Sequence, residues 1–213
     1  RLGLWRSPYV LDLNLAFEGI LAQNHDPDFA HKFASVVLPS DMINFFKAGT
    51  YGKEAARQIE QSWETTGSLT GPQGQLAVFE QSQVKFLAPL PRPNTIRDFS
   101  TFEEHQKRAT RAKGNSEVPE VWYRMTVYWK ANPENTAGPD EDVLWPSYSN
   151  RLDFELELGV YIAKTGRDIP VDQAAEYIAG YTIFNDISAR DQQAQETVMT
   201  FGPAKGKDFD TAK

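Results

Sequence analysis

Between Leu152 and Ile162 the chain reads LDFELELGVYI, and this alternation constrains its fold more than any other segment. In a β-strand successive side chains point to opposite faces. Leu152, Phe154, Leu156 and Leu158 therefore share one face, and Asp153, Glu155 and Glu157 crowd the other. Neighbouring carboxylates repel unless water or a cation screens them. Two readings stay open. One is an acidic strand face bathed in solvent; the other is a hard dication bound through oxygen, for which Asp186 is a natural third ligand.

Composition narrows the chemistry. The chain has 213 residues, enough for one large or two small domains around a real core. Its net charge of -7, with no basic run, leaves no electrostatic footprint for nucleic acid. There are no cysteines, which excludes disulfides and thiolate chemistry. With only three histidines (His25, His31 and His105), any metal is expected to be oxygen-ligated: magnesium, calcium or manganese. No apolar run approaches a membrane span and no secretory leader is visible, so a cytoplasmic protein without membrane partners is expected. The first residue is Arg1 rather than Met, which leaves the native start open.

Turn-formers and hydrophobic periodicity divide the chain near residue 85. Residues 1–85 read as a small α/β module. It has a hairpin over 2–13, a helix over 13–22, and a helix over 41–48 with Ser40 as N-cap and Gly49 as stop. A third helix spans 53–65, and short strands fall at 76–80 and 84–89. Residues 86–213 open with a helix over 101–113, for which Ser100 and Glu103 form a capping-box pattern. Strands follow at 121–129 and 143–147, then the carboxylate strand, a helix over 171–180, and a strand ending near Asp186.

Single residues carry paired interpretations. Asp186 at a strand end is a scaffolded functional carboxylate or a helix cap, and the cap is the commoner role. Asp98 is equally a turn residue. His105 is an ordinary helical histidine or a general base suited to proton transfer near neutrality. Arg190 and Lys207 are partners in structural ion pairs, or they hold a substrate carboxylate or oxyanion. Gln193 shares the face of Arg190 if that segment is helical. The stretch FGPAKGKDFDT fails as a phosphate-binding loop: the spacing between Gly202 and Gly206 is one residue short, and Asp208 stands where a hydroxyl is needed.

Four segments in order, RDFSTFEEH, FELEL, GYTIFNDISARDQQ and GPAKGKDFDT, resemble the fumarylacetoacetate hydrolase family. The resemblance is strong over residues 86–213 and general over the first 85. It implies an α+β fold, a mixed β-roll that is incomplete here, preceded by the small α/β module. The apparent incompleteness suggests a chain truncated at its C-terminus. Glu155, Glu157 and Asp186 match the family's metal ligands, with Asp98 matching a fourth used by some members. His105 matches the histidine that activates water. Arg190, Gln193 and Lys207 match residues that steady the oxyanion or contact substrate. Tyr123 matches a substrate-binding tyrosine, and Thr211 a residue near the metal's water shell. Ser100 stands where fumarylacetoacetase proper has a substrate-contacting tyrosine, which argues against that exact pocket.

The implied activity is magnesium-, calcium- or manganese-dependent hydrolysis of a carbon–carbon bond in a β-diketo acid, as in aromatic or 2-oxo acid catabolism, by a homodimer. The same residues suit a 2-oxo acid decarboxylase, hydratase or isomerase. A non-catalytic binding protein that keeps the fold is the third possibility.

Overall fold

A computed structural model describes residues 1–112, 114–199 and 202–209. By their contacts they fall into two units: Arg1–Leu90 with Leu158–Thr182, and Pro91–Glu157 with Ile183 onward. The first unit's opening segment ends at Leu90, beside the boundary expected near residue 85, and Leu158–Thr182 is grouped with it.

In the first unit, strands β1 (Gly3–Arg6) and β2 (Tyr9–Asp12) form the expected hairpin, with Leu4 opposite Leu11 and Arg6 opposite Tyr9. Strand β3 (Val78–Glu80) adds antiparallel to β2, giving the order β1-β2-β3. Asp12 ends β2 and caps helix α1 (Leu13–Ala22), accepting from the Leu15 N–H at 3.0 Å. Helix α2 (Pro27–Val37) had no counterpart in the sequence reading, although Asp26 as N-cap with Pro27 at the first turn is a start signal. Helix α3 runs from Met42 to Thr66, capped by Asp41 rather than Ser40. Gly49 interrupts it as expected: at φ 60° its backbone leaves the helical region, and two helical segments meet there at a kink. The apolar core lies here, around Leu11, Leu13, Phe17, Leu38 and Ile59. Gly19 packs so closely on this core's loop that a Cβ would lie 1.9 Å from the Thr70 carbonyl oxygen.

The second unit is built differently. Strand β4 (Ile96–Phe99) pairs antiparallel with β5 (Tyr128–Ala131), and the register sets Asp98 directly opposite Trp129. Strand β6 (Leu152–Ile162) pairs with β7 (Ile178–Ala189); the base of this ribbon belongs to this unit and its far end is grouped with the first. Helices α4 (Glu103–Ala112), α5 (Glu120–Arg124) and α6 (Arg190–Val198) complete it.

Several expectations fail for local reasons. Ser100 does not cap α4, which starts at Glu103; its Oγ accepts from the Gln106 side chain and its N–H bonds the Val127 carbonyl, extending the strand pairing. The apolar run at 121–129 is not one strand. Pro119 and Glu120 start the short helix α5, and only Tyr128 onward is a paired strand. No strand forms at 84–89 or 143–147, where prolines remove ladder donors. Val171–Tyr177 is a 3-10 helix that gives way to β7. Asp186 sits inside β7 rather than at a strand end, because the strand runs on to Ala189. The architecture is mixed α and β with small sheets. Among the described residues no helix is long and apolar enough to cross a membrane.

Candidate metal centre

The alternation of β6 is real, but the two faces are used in the opposite sense to a solvated acidic strand. Phe154 and Leu156 are 59% and 70% exposed, whereas Glu155 and Glu157 are half-buried. Asp153 remains exposed. Carboxylates turned away from water need partners, and the partners come from three neighbouring elements.

Asp98 from β4, Glu157 from β6 and Asp186 from β7 each offer a carboxylate oxygen, all lying within 4.8 Å of one another. Asp186 is fully buried, and its Oδ1 has no hydrogen-bond partner among the described residues. Its Oδ2 accepts from the ammonium of Lys207, which is itself 2% exposed. Lys207 Nζ also lies 3.1 Å from Glu155 Oε1. Arg190 adds a second cation: Nη1 bonds Glu155 Oε1, and Nε bonds Asp153 Oδ2 at 2.9 Å. The same Nη1 donates to Gln193 Oε1 at 3.0 Å, one helical turn along α6.

Charge divides the four family-type carboxylates. Glu155 is held by Lys207 and Arg190; burial works against it, yet these cations keep its carboxyl below the usual range. Glu157 forms no hydrogen bond or ion pair to a described residue. Burial, followed by the nearby Asp98 and Asp186, pushes it up to about 8. Asp186 is raised to about 6, by burial against the pull of Lys207. A cluster of three inward carboxylates, one holding an orphaned buried oxygen, suits a hard divalent cation with oxygen ligands. Asp98, Glu157 and Asp186 would hold such an ion, with Glu155 at its margin on the two cations.

Lys207 reaches this place because its loop is tied to α6. The Glu196 carboxylate accepts backbone N–H bonds from Ala204, Lys205 and Gly206 at 2.7–3.1 Å. Burial opposes ionisation there, and the three donors outweigh it. Gly206 is required by the close approach, since a Cβ would stand 2.9 Å from the backbone of Gln193. The Ala189 N–H bonds the Gly206 carbonyl at 2.8 Å, joining the loop to the end of β7.

His105 lies exposed on α4, and its side chain makes no hydrogen bond or ion pair to a described residue. Tyr123, at the end of α5, is 56% exposed and donates to Glu103 Oε1 at 2.9 Å. Neither joins the carboxylate cluster through a hydrogen bond. Thr211 lies outside the described residues. Sequence reasoning missed three participants: Asp153 as a partner of Arg190, Trp129 as the indole donor to Asp98, and Glu196 as the anchor of the Lys207 loop. Asp153 was visible on the right strand face; the other two depend on pairings between segments remote in sequence.

Residues 94–213 match the family model described as fumarylacetoacetate (FAA) hydrolase C-terminal. The chain is 28% identical over 218 aligned residues to the human protein named oxaloacetate tautomerase FAHD2A, mitochondrial, covering 99% of this chain and 59% of that one. An uncharacterized protein of Archaeoglobus fulgidus is 35% identical over 143 residues, covering 65% of this chain and 52% of its own length. The chain thus spans 41–59% of the length of the curated relatives it matches. Among solved structures, a Mycobacterium smegmatis protein provisionally assigned as HpcE superposes with a TM-score of 0.54 at 23% identity. That match covers 99% of this chain and 57% of the other, and it speaks to the fold alone.

Proposed function

The chain belongs to the fumarylacetoacetate hydrolase family, and from that premise we propose that it carries the metal-holding part of an enzyme acting on small 2-oxo or β-diketo acids. The observation behind this reading is the convergence of Asp98, Glu157 and Asp186 around the unpartnered Asp186 Oδ1. Asp98, Glu157 and Asp186 would hold a magnesium, calcium or manganese ion, which would supply Lewis acidity toward keto-acid oxygens.

The protein's own groups take the remaining work. The carboxylates concentrate negative charge that only a small dication offsets well. Lys207 and Arg190, with Gln193 orienting the guanidinium, place positive charge beside that cluster, where an oxyanion is steadied by fixed donors. His105 is the candidate base for a hydrolytic water, and Tyr123 a candidate substrate contact. On this assignment the reaction is hydrolytic cleavage of a carbon–carbon bond in an acylpyruvate- or fumarylacetoacetate-type acid. A homodimer and a mixed β-roll belong to the same reading.

The similarity to a human oxaloacetate tautomerase across 99% of the chain favours a second reading, proton transfer between carbon and oxygen of oxaloacetate without carbon–carbon bond cleavage. The shared carboxylates serve both. One assay separates them: acylpyruvates, fumarylacetoacetate and the enol of oxaloacetate, each with added Mg²⁺, followed in the wild type, Asp186→Asn and His105→Ala. Turnover of acylpyruvate that disappears in both variants supports hydrolysis. Loss in Asp186→Asn alone, with oxaloacetate the preferred substrate, supports tautomerisation. Activity untouched by Asp186→Asn removes the metal centre from either scheme.

A further inference from the structure

Three candidates lie beyond the assigned carboxylates and cations: the exposed apolar face of β6, the Glu196 loop anchor, and the pairing of Asp98 with Trp129. The apolar face carries nothing, because no feature of the structure identifies what covers it. The Glu196 anchor acts on a residue already assigned. The third reaches the centre directly.

Asp98 is held unlike its neighbours in the cluster. Asp186 bonds an ammonium, and Glu155 an ammonium and a guanidinium. Asp98 Oδ2 instead accepts from the indole Nε1–H of Trp129. The strand register explains the contact: residues directly opposite in an antiparallel pair project to the same face, and Asp98 faces Trp129 across β4 and β5. Both side chains are half-buried, so the bond is shielded from competing water.

The nature of the donor matters. A lysine or arginine at this position would orient the carboxylate and also cancel its charge, competing with any incoming cation. Indole has a single N–H, no acceptor and no charge. It fixes the carboxylate's rotation and leaves its full negative charge for a metal. Partners of this kind, one bond behind the ligands, typically govern about 10–100-fold of metal affinity. We propose that Trp129 is the positioning residue of the metal centre, presenting Asp98 to a divalent cation by a neutral hydrogen bond. This rests on the metal-binding reading above.

The test is Mn²⁺ binding by calorimetry to the whole chain as wild type, Trp129→Phe, Trp129→His and Trp122→Phe. Trp122 is the control: it is a half-buried tryptophan of the same unit whose Nε1 donates to the Ser100 carbonyl at 3.0 Å. Trp129→Phe is expected to weaken Mn²⁺ about tenfold or more, and Trp129→His, which keeps a ring N–H, to recover most of that. Trp122→Phe is expected to stay within about threefold of wild type, well below the tenfold effect of losing an orienting partner.

Equal affinity in wild type and Trp129→Phe overturns the proposal while leaving the metal centre standing. Absence of Mn²⁺ binding in the wild type removes the metal centre and this inference with it. A measurement on the unaltered protein stands in should Trp129→Phe fail to fold. The Trp129 indole N–H resonance, assigned by elimination, must shift on saturation with diamagnetic Mg²⁺, and more than that of Trp122. An unmoved Trp129 resonance in a Mg²⁺-saturated protein overturns the assignment.

Discussion

Replacing Lys207 with methionine removes one buried positive charge and keeps most of the side-chain volume. In the wild type Asp186 already has a carboxyl raised from 3.8 to about 6. For a carboxyl raised on folding, stability is complete below the unfolded value and falls as pH rises toward the folded one. The loss attributable to Asp186 therefore accrues between about pH 4 and 6 and then stops. Without the ammonium the folded value climbs further, so the variant keeps losing stability above pH 6 where the wild type does not.

Each unit of that difference is worth about 1.4 kcal/mol. The gap between the two proteins should be small at pH 5.5, about 1.4 kcal/mol at pH 7 and approach about 3 kcal/mol at pH 8. This stays within the roughly 3–5 kcal/mol typical of breaking a buried ion pair, because Asp186 escapes by taking up a proton. Glu155 retains Arg190, and Glu157, already near 8, adds only at the top of the range. Urea unfolding at the three pH values, in metal-free buffer, measures the gap directly. A gap that is the same at pH 5.5 and pH 8 would refute the claim that Lys207 holds Asp186 ionised.

Two further outcomes follow from the same geometry. At pH 7 Glu157 is mostly protonated and Asp186 mostly ionised, so each bound Mn²⁺ should release about one proton; calorimetry in buffers of different ionisation enthalpy counts it, and a count of zero contradicts the ligand set. Glu196→Ala removes three charge-assisted bonds to the 204–206 backbone and should cost about 2 kcal/mol in urea unfolding, with Glu196→Gln recovering part of the loss.

Local signals in the sequence read well where structure is decided locally. The hairpin at β1 and β2, the start of α1, the strand β6 and the break at Gly49 follow from turn residues, caps and alternation over a few positions. The residues of the carboxylate cluster were also legible, because acidic side chains at alternate positions of an apolar strand conflict with burial. Their arrangement was not. Glu155 leaving the tight cluster for Arg190 and Lys207 depends on where α6 and its following loop return to β6. The Trp129 bond exists only because two strands separated by two helices pair in one particular register. The apolar segment at 121–129 was misread because its residues favour strands, while Pro119 and Glu120 tip the first part into a helical turn.

The tethering of the 204–206 backbone to Glu196 sets how large the centre's footprint is. A lysine side chain is long and loses considerable freedom when fixed in one place, so the ammonium's address is inherited from α6 rather than from Lys207 alone. Damage to that helix would therefore read as damage to the reactive core. A survey of harmful substitutions would outline a territory wider than the carboxylates themselves, with its border at a glutamate that never touches them.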